Sequence, residues 1–289
     1  MFDVRPATPE TPEPAAFRVA GARSVPEAAR TAFARDGVVC LEQALGAEEV
    51  EALRGALDRA VEVPSELGYR VAKPGQPGFF FTDYNLWQRM DAVRKIAFES
   101  PVADLTSSLL GSKTLTLYFD NVFVKEAGSR GAVVPWHEDG MFLRMNGLGL
   151  VNFWIALDPV PKASAVIFKR GSHRRDEPVY KAIHFDPTQS YPHPIVRDRV
   201  DMPPFEELDA RFESVCRAVQ PGDACVFTQR TLHASPGNVL PTRRRALGFL
   251  LMGDEVTFNG APGTTDPPFR GEGLVDGGPP QCESFPRLR

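Results

Sequence analysis

The sequence predicts a mainly β domain with flanking helices, closed as a sandwich or barrel. Three observations predict it. From residue 114 onward, short apolar runs alternate with Gly, Pro and Asp turns, the signature of a strand-rich sandwich or barrel. Helical periodicity is confined to the N-terminal part, before residue 111. The chain is long enough, at 289 residues with 43% hydrophobic content, to bury one large core.

Taken in order, residues 1–25 are rich in Pro, Thr, Glu and Ala and read as a mobile or loosely packed tail. Residues 26–36 and 47–62 read as helices. In the second, Val50, Leu53, Leu57 and Val61 recur at helical spacing behind an acidic first turn, Ala47-Glu48-Glu49. The apolar run 37–41 between them reads as a strand. Residues 63–85 hold several Pro and Gly and the cluster Phe79-Phe80-Phe81, a loop long enough to suggest a lid or binding element. Residues 86–110 are helical again, with Pro101 opening a second helix and Gly111 ending it.

Strands are expected at 114–124, 133–137, 149–157, 165–168, 224–227 and 245–252. A polar insert, 172–215, interrupts them. The Pro/Gly-rich stretch from Gly260 should wrap the surface as a C-terminal extension. Residues 26–289 are thus expected to form a single domain.

A net charge of −4 without a basic stripe gives no support to a nucleic-acid partner. No run approaches the roughly 20 apolar residues of a membrane span, and the first 30 residues have no signal-like apolar core. The four cysteines form no CxxC pair. Cys40 and Cys225 are flanked by apolar residues, which fits small buried thiols in a reducing, cytoplasmic setting. A small-molecule substrate is therefore expected, with the chain a monomer or homodimer.

The chemistry concentrates in Pro135-Trp136-His137-Glu138-Asp139-Gly140. In an extended segment, residues two apart share a face, so His137 and Asp139 can reach one ion while Glu138 points away. A second imidazole from a distant strand would complete a facial triad, the arrangement of Fe(II) oxygenases, which leaves positions open for co-substrate and O2. Of the other histidines, His233 in Thr231-Leu232-His233-Ala234-Ser235 is the best placed. His173 lies in a cationic loop, and His184 and His193 lie in the polar insert. An H-x-D triplet alone carries little weight, since a lone His near a strand is more often a hydrogen-bonded structural residue. Catalytic zinc also uses three ligands and an open position, so a Zn-dependent hydrolase stands as an alternative, as does a non-catalytic binding protein on the same fold.

Ordered blocks around the triplet favour the oxygenase over these alternatives. Asn121-Val122-Phe123-Val124-Lys125, Trp136-His137-Glu138-Asp139-Gly140, Phe153-Trp154-Ile155-Ala156-Leu157, Arg170-Gly171-Ser172-His173-Arg174, Pro221-Gly222-Asp223, His233-Ala234-Ser235-Pro236-Gly237-Asn238 and Arg244-Arg245-Ala246-Leu247 together resemble the phytanoyl-CoA dioxygenase family of Fe(II)/2-oxoglutarate oxygenases, over roughly residues 30–255. The resemblance implies a double-stranded β-helix, a cupin-like jelly roll. It implies His137, Asp139 and His233 as iron ligands, 2-oxoglutarate and O2 as co-substrates, and an Arg eleven positions after the distal His on the far carboxylate of 2-oxoglutarate. That position is Arg244, and a guanidinium fork suits a carboxylate. The run Arg243–Arg245 leaves the register to alternation: Arg244 points inward only if its neighbours point out. Ser235 and Trp154 match positions lining the 2-oxoglutarate site, and Asn121 and Lys125 are further candidates. One loop departs from the family pattern: Lys162-Ala163-Ser164-Ala165 replaces a Gly-Gly turn, and Arg170 stands where the family has Pro.

The presence of Asp139 implies hydroxylation rather than halogenation, with desaturation, epimerisation and cyclisation open to the same chemistry. For the substrate, a natural product or a carboxylated or phosphorylated metabolite, the candidate contacts are Arg70, Lys73, Phe79 and Phe81 from the long loop, with Phe142 beside the triplet.

Overall fold

The computed structural model describes residues 4–71, 77–184, 199–265, 267–269 and 273–289. The N-terminal part holds β1 (Ala16–Arg18), α1 (Glu27–Asp36), β2 (Val38–Glu42), α2 (Ala47–Glu62), β3 (Tyr69–Val71), β4 (Phe80–Thr82), α3 (Asp91–Glu99) and α4 (Val102–Leu110). The remainder holds β5 (Thr116–Lys125), β6 (Val134–His137), β7 (Met145–Asn146), β8 (Leu150–Ala156), β9 (Ile167–Lys169), α5 (Phe205–Arg211), β10 (Ser214–Cys216), β11 (Ala224–Thr228), β12 (His233–Ser235), β13 (Arg244–Met252) and β14 (Thr257–Phe258).

The strands form a jelly roll. A large sheet runs β1-β2-β11-β8-β13-β5-β4-β3, and a smaller one runs β10-β9-β12-β6. Side-chain alternation gives the large sheet two apolar faces. Val151, Phe153 and Ile155 of β8, with Val226, Leu247 and Phe249, pack under α1–α4. Trp154, Ala156, Cys225, Phe227 and Ala246 face the smaller sheet, where Ile167, Phe168 and Ala234 meet them. The functional cleft opens between the two sheets.

The helices follow their apolar stripes. Val50, Leu53, Leu57 and Val61 of α2 are all buried against the sheet, and Glu49 Oε2 accepts the Gly46 amide at 2.8 Å, satisfying an otherwise unpaired donor of the first turn. α1 ends at Gly37, whose φ of 75° only glycine adopts freely; a Cβ there would also lie 2.3 Å from His173 Nδ1. His173 is thereby committed to the α1 terminus, with Nε2 3.2 Å from the Ala34 carbonyl, and is not at the cleft.

The expectation of a loosely packed tail is corrected for the described residues 4–25. β1 pairs in parallel with β2, the Pro12 carbonyl accepts the Cys216 amide at 2.8 Å, and Glu13 pairs with Lys162 and Arg217 at 3.0 and 2.5 Å. Edge pairing of this kind needs a partner distant in sequence, so composition alone does not reveal it. The 63–85 segment likewise contains β3 and β4, antiparallel to each other, with β4 paired onto β5. The described parts of the polar insert contribute α5 and β10, and β10 joins β9. The C-terminal extension folds back on β5, where Leu117 donates to the Pro286 carbonyl at 2.9 Å and Phe285 stacks on Tyr118 at 4.8 Å. Cys40 and Cys225 are buried, free thiols on neighbouring strands, with their Sγ atoms 3.2 Å apart.

Candidate metal centre and co-substrate site

β6 and β12 are antiparallel neighbours, and their register places His137 opposite His233. The two imidazole centroids lie 4.1 Å apart. Glu138 keeps an extended backbone, with φ −123° and ψ 140°, so Asp139 returns to the His137 side. The Gly140 amide then donates to the Gln229 carbonyl at 2.8 Å, tying this turn to the loop that precedes β12. Asp139 Oδ1 lies 3.8 Å from His137 Nε2 and 3.6 Å from His233 Nε2. Ligand atoms of all three residues fall within 4.8 Å of one another.

Both rings are oriented by backbone carbonyls. His137 Nδ1 lies 2.8 Å from the Pro135 carbonyl and His233 Nδ1 lies 2.9 Å from that of Thr231. A carbonyl only accepts, so each Nδ1 carries the proton and each Nε2 presents its lone pair toward Asp139. Burial pushes the His137 imidazole down to about 3 and that of His233 down to about 4. Both are neutral, as ligation requires. Two imidazoles and one carboxylate on one side, with the cleft on the other, suit a facial Fe(II) site.

The other wall of the cleft is cationic. Arg244 and Lys125 lie directly opposite each other on β13 and β5, and both line the cleft. Arg244 Nη1 donates to Ser235 Oγ at 3.0 Å. Lys125 Nζ donates to the same oxygen at 2.9 Å and to the Pro236 carbonyl at 2.7 Å. The guanidinium sits over the Trp154 ring at 5.5 Å. Among the described residues, neither cation has a carboxylate partner. Burial lowers Arg244 to about 10, so it stays charged at neutral pH. Burial, then Arg244 itself, holds Lys125 well below the usual lysine range. A buried guanidinium and a buried lysine amine aimed at one hydroxyl form a receptor for an anion, whose charge would favour the protonated amine, and the donor set fits the carboxylate end of 2-oxoglutarate. Arg243 pairs with Asp58 and Glu126, each at 2.7 Å, and Arg245 with Asp158 and Asp58, each at 2.8 Å. Both point away from the cleft, which fixes the register of the three arginines.

The cleft is open to solvent and, with that open space included, spans about 860 Å³. Beyond the triad it is lined by Tyr84, Phe119, Asn121, Phe142, Leu143 and Leu250. Asn121 Oδ1 accepts the Thr82 hydroxyl at 2.7 Å. Of the residues expected at the substrate, Phe142 is there. Phe81 is not: it is fully buried under the helices, because β4 pairs Phe81 with Val124 on the helix face. Its neighbour Phe80 pairs with Lys125 and lies beneath its ammonium, 5.8 Å from the ring centroid. Arg70 stacks on Phe79 at 5.0 Å and donates to the Val61 carbonyl at 2.6 Å; neither lines the cleft. Lys73 and His193 fall outside the described residues, and His184 does not line the cleft. Sequence reasoning missed Asn152, although a lone polar residue in the run 150–156 was a visible signal.

The family profile of phytanoyl-CoA dioxygenase (PhyH) matches residues 33–246. The chain belongs to the phytanoyl-CoA dioxygenase family. It is accordingly an iron- and 2-oxoglutarate-dependent dioxygenase by class. Two relatives are named ectoine dioxygenase. That of Stutzerimonas stutzeri is 24% identical over 230 residues, covering 75% of this chain and 74% of that protein. That of Sphingopyxis alaskensis is 25% identical over 231 residues, covering 74% and 71%. Similar solved structures include the epimerase SnoN in complex with Fe3+, alpha ketoglutarate and nogalamycin RO, with a TM-score of 0.70, 21% identity, and coverage of 91% of this chain and 98% of that one. The carbocyclase SnoK from nogalamycin biosynthesis gives a TM-score of 0.68 at 22% identity, covering 92% and 97%. EctD from S. alaskensis with 2-oxoglutarate and 5-hydroxyectoine gives 0.66 at 20% identity, covering 96% and 92%. These likenesses share the jelly-roll fold. No helix among the described residues is long and apolar enough to cross a membrane.

Proposed function

We propose that His137, Asp139 and His233 hold one Fe(II) ion, that Arg244, Lys125 and Ser235 hold the far carboxylate of 2-oxoglutarate, and that the enzyme hydroxylates a small molecule seated at the opposite end of the cleft. The buried cation pair carries this reading. A zinc hydrolase would have no use for an anion receptor across the cleft from its metal, whereas 2-oxoglutarate, with a keto-acid end for the metal and a second carboxylate for the receptor, would use both.

Held in the triad, Fe(II) would supply the oxidising chemistry, coupling reduction of O2 to conversion of 2-oxoglutarate to succinate and CO2. The chain's own residues bind, orient and exclude water. The Pro135 and Thr231 carbonyls fix the two imidazoles. Trp154, Phe123 and Phe227 wall the co-substrate end, and the low dielectric there strengthens a carboxylate–guanidinium pair. The far end is aromatic and apolar, with Asn121 as a polar contact. Among the described lining residues both cations sit at the co-substrate end. That distribution favours a substrate with a ring or apolar carbon skeleton over a phosphorylated one. Solved relatives with nogalamycin RO and 5-hydroxyectoine bound support a small organic substrate. The buried free thiols suit a reducing compartment such as the cytoplasm.

The test is succinate formation from 2-oxoglutarate. It should require Fe(II) and O2 and rise when a substrate is supplied. Activity that persists in Asp139→Ala, or that proceeds with zinc and without 2-oxoglutarate, would overturn the reading.

A further inference from the structure

Asn152 is the one polar residue of Leu150–Ala156, a strand buried from end to end. Its neighbours on the same face, Leu150 and Trp154, are apolar. A carboxamide buried there is costly unless its hydrogen bonds are met. Only half of it is met. Nδ2 donates to Asp139 Oδ2 at 3.2 Å, while Oδ1 is buried with no hydrogen-bond partner among the described residues. The amide is therefore poorly explained as a device for stability.

Its contact divides the two oxygens of Asp139. Oδ1 faces both imidazoles, 3.8 and 3.6 Å from their Nε2 atoms, and Oδ2 is held by Asn152. The adjacent strand is built to admit the amide. A Cβ at Gly248 would lie 2.7 Å from Asn152 Oδ1 and 3.2 Å from Phe123 Cε2, so only glycine leaves the carboxamide where it is.

We propose that Asn152 is a positioning residue: it holds Asp139 so that a single oxygen, Oδ1, is presented to the metal ion, and Gly248 keeps the amide in that pose. The inference rests on the triad being a metal site. A carboxylate free to rotate could bind through both oxygens and occupy a position that co-substrate or O2 needs. Partners of this kind around a metal ligand typically change affinity by about 10–100-fold when removed.

The experiment uses Asn152→Leu, which removes the donor while keeping the branched heavy-atom shape, and Gly248→Ala, which displaces the amide without removing it. Fe(II) binding is measured by anaerobic calorimetry, and metal-free thermal unfolding is measured in parallel. The expected result for Asn152→Leu is Fe(II) affinity about 10–100-fold weaker with a metal-free Tm equal to wild type or higher. Gly248→Ala should weaken Fe(II) binding in the same direction. Unchanged Fe(II) affinity in Asn152→Leu would overturn the proposal. So would an affinity loss accompanied by a matching fall in metal-free Tm, or a protein too unstable to titrate, since either makes the amide structural. Addition of 2-oxoglutarate to wild type reads the co-substrate assignment separately. A wild-type protein that binds Fe(II) but shows no visible band with 2-oxoglutarate contradicts that assignment, and the affinity comparison still decides Asn152.

Discussion

Lys125 and Arg244 face each other across the β5–β13 ladder, and both donate to the hydroxyl of Ser235. Burial and the Arg244 guanidinium both disfavour the protonated Lys125 amine, and a bound carboxylate would offset that. Arg244→Lys should raise the KM for 2-oxoglutarate roughly 10–100-fold, the value of losing one charge-assisted hydrogen bond of about 1.5–3 kcal/mol. Arg243→Ala, whose side chain pairs with Asp58 and Glu126 outside the cleft, should leave that KM unchanged. Steady-state succinate formation reads both.

The same pair makes a prediction about ligand-linked stability. Saturating 2-oxoglutarate should raise the Tm of the wild-type protein, by mass action on the folded state. Lys125→Met should shrink the shift while leaving, or raising, the Tm without ligand, because an unpaired buried cation is gone. Thermal unfolding with and without 2-oxoglutarate measures it. An equal shift in the variant would remove Lys125 from the site.

Glu138, between His137 and Asp139, is held from the opposite side. It is fully buried, forms an ion pair with Arg175 and accepts the Tyr180 amide at 2.8 Å. Arg175 in turn lies over the Tyr180 ring at 4.4 Å. Arg175→Met leaves a buried carboxylate without its main partner and should cost about 3–5 kcal/mol. Chemical denaturation should show this loss, and adding Glu138→Gln should recover part of it.

Asp120 gives a pH dependence. Burial, opposed by amide donors from Leu86 at 2.9 Å and Trp87 at 3.0 Å, pushes its carboxyl up to about 7 from 3.8. The folded chain thus holds a proton between about pH 4 and 7 that the unfolded chain has released. Stability from this group is full below about pH 4 and falls as pH rises toward 7, by up to about 4 kcal/mol. Relative to wild type, Asp120→Asn should gain stability across that window. Urea unfolding at pH 4.5 and pH 7 tests the slope.

Much of this was legible in the sequence, and the reasons for what was not are specific. The strands β5, β8, β11 and β13 announce themselves as apolar runs because both faces of the large sheet are covered. His137 and Asp139 follow from two-residue alternation, and the inward Arg244 from the same rule once its neighbours find carboxylates. The short edge strands β1 and β3 have no such run, since their residues are chosen by their strand partners. Phe81 of β4 reads from sequence as a substrate contact and sits instead beneath the helices: a one-residue change of register exchanges the faces, and the register of β4 is set by its pairing with β5. Asn152 was visible as the odd residue of an apolar strand, but its partner Asp139 is brought to it only by the packing of the turn after β6.

The most direct test of the account is anaerobic absorption spectroscopy of the metal-free protein titrated with Fe(II) and then 2-oxoglutarate. The account predicts a visible charge-transfer band that saturates at one Fe(II) per chain, is lost in His233→Ala, and needs more 2-oxoglutarate in Arg244→Lys. Fe(II) binding without any band on adding 2-oxoglutarate, or a full band in His233→Ala, would contradict it.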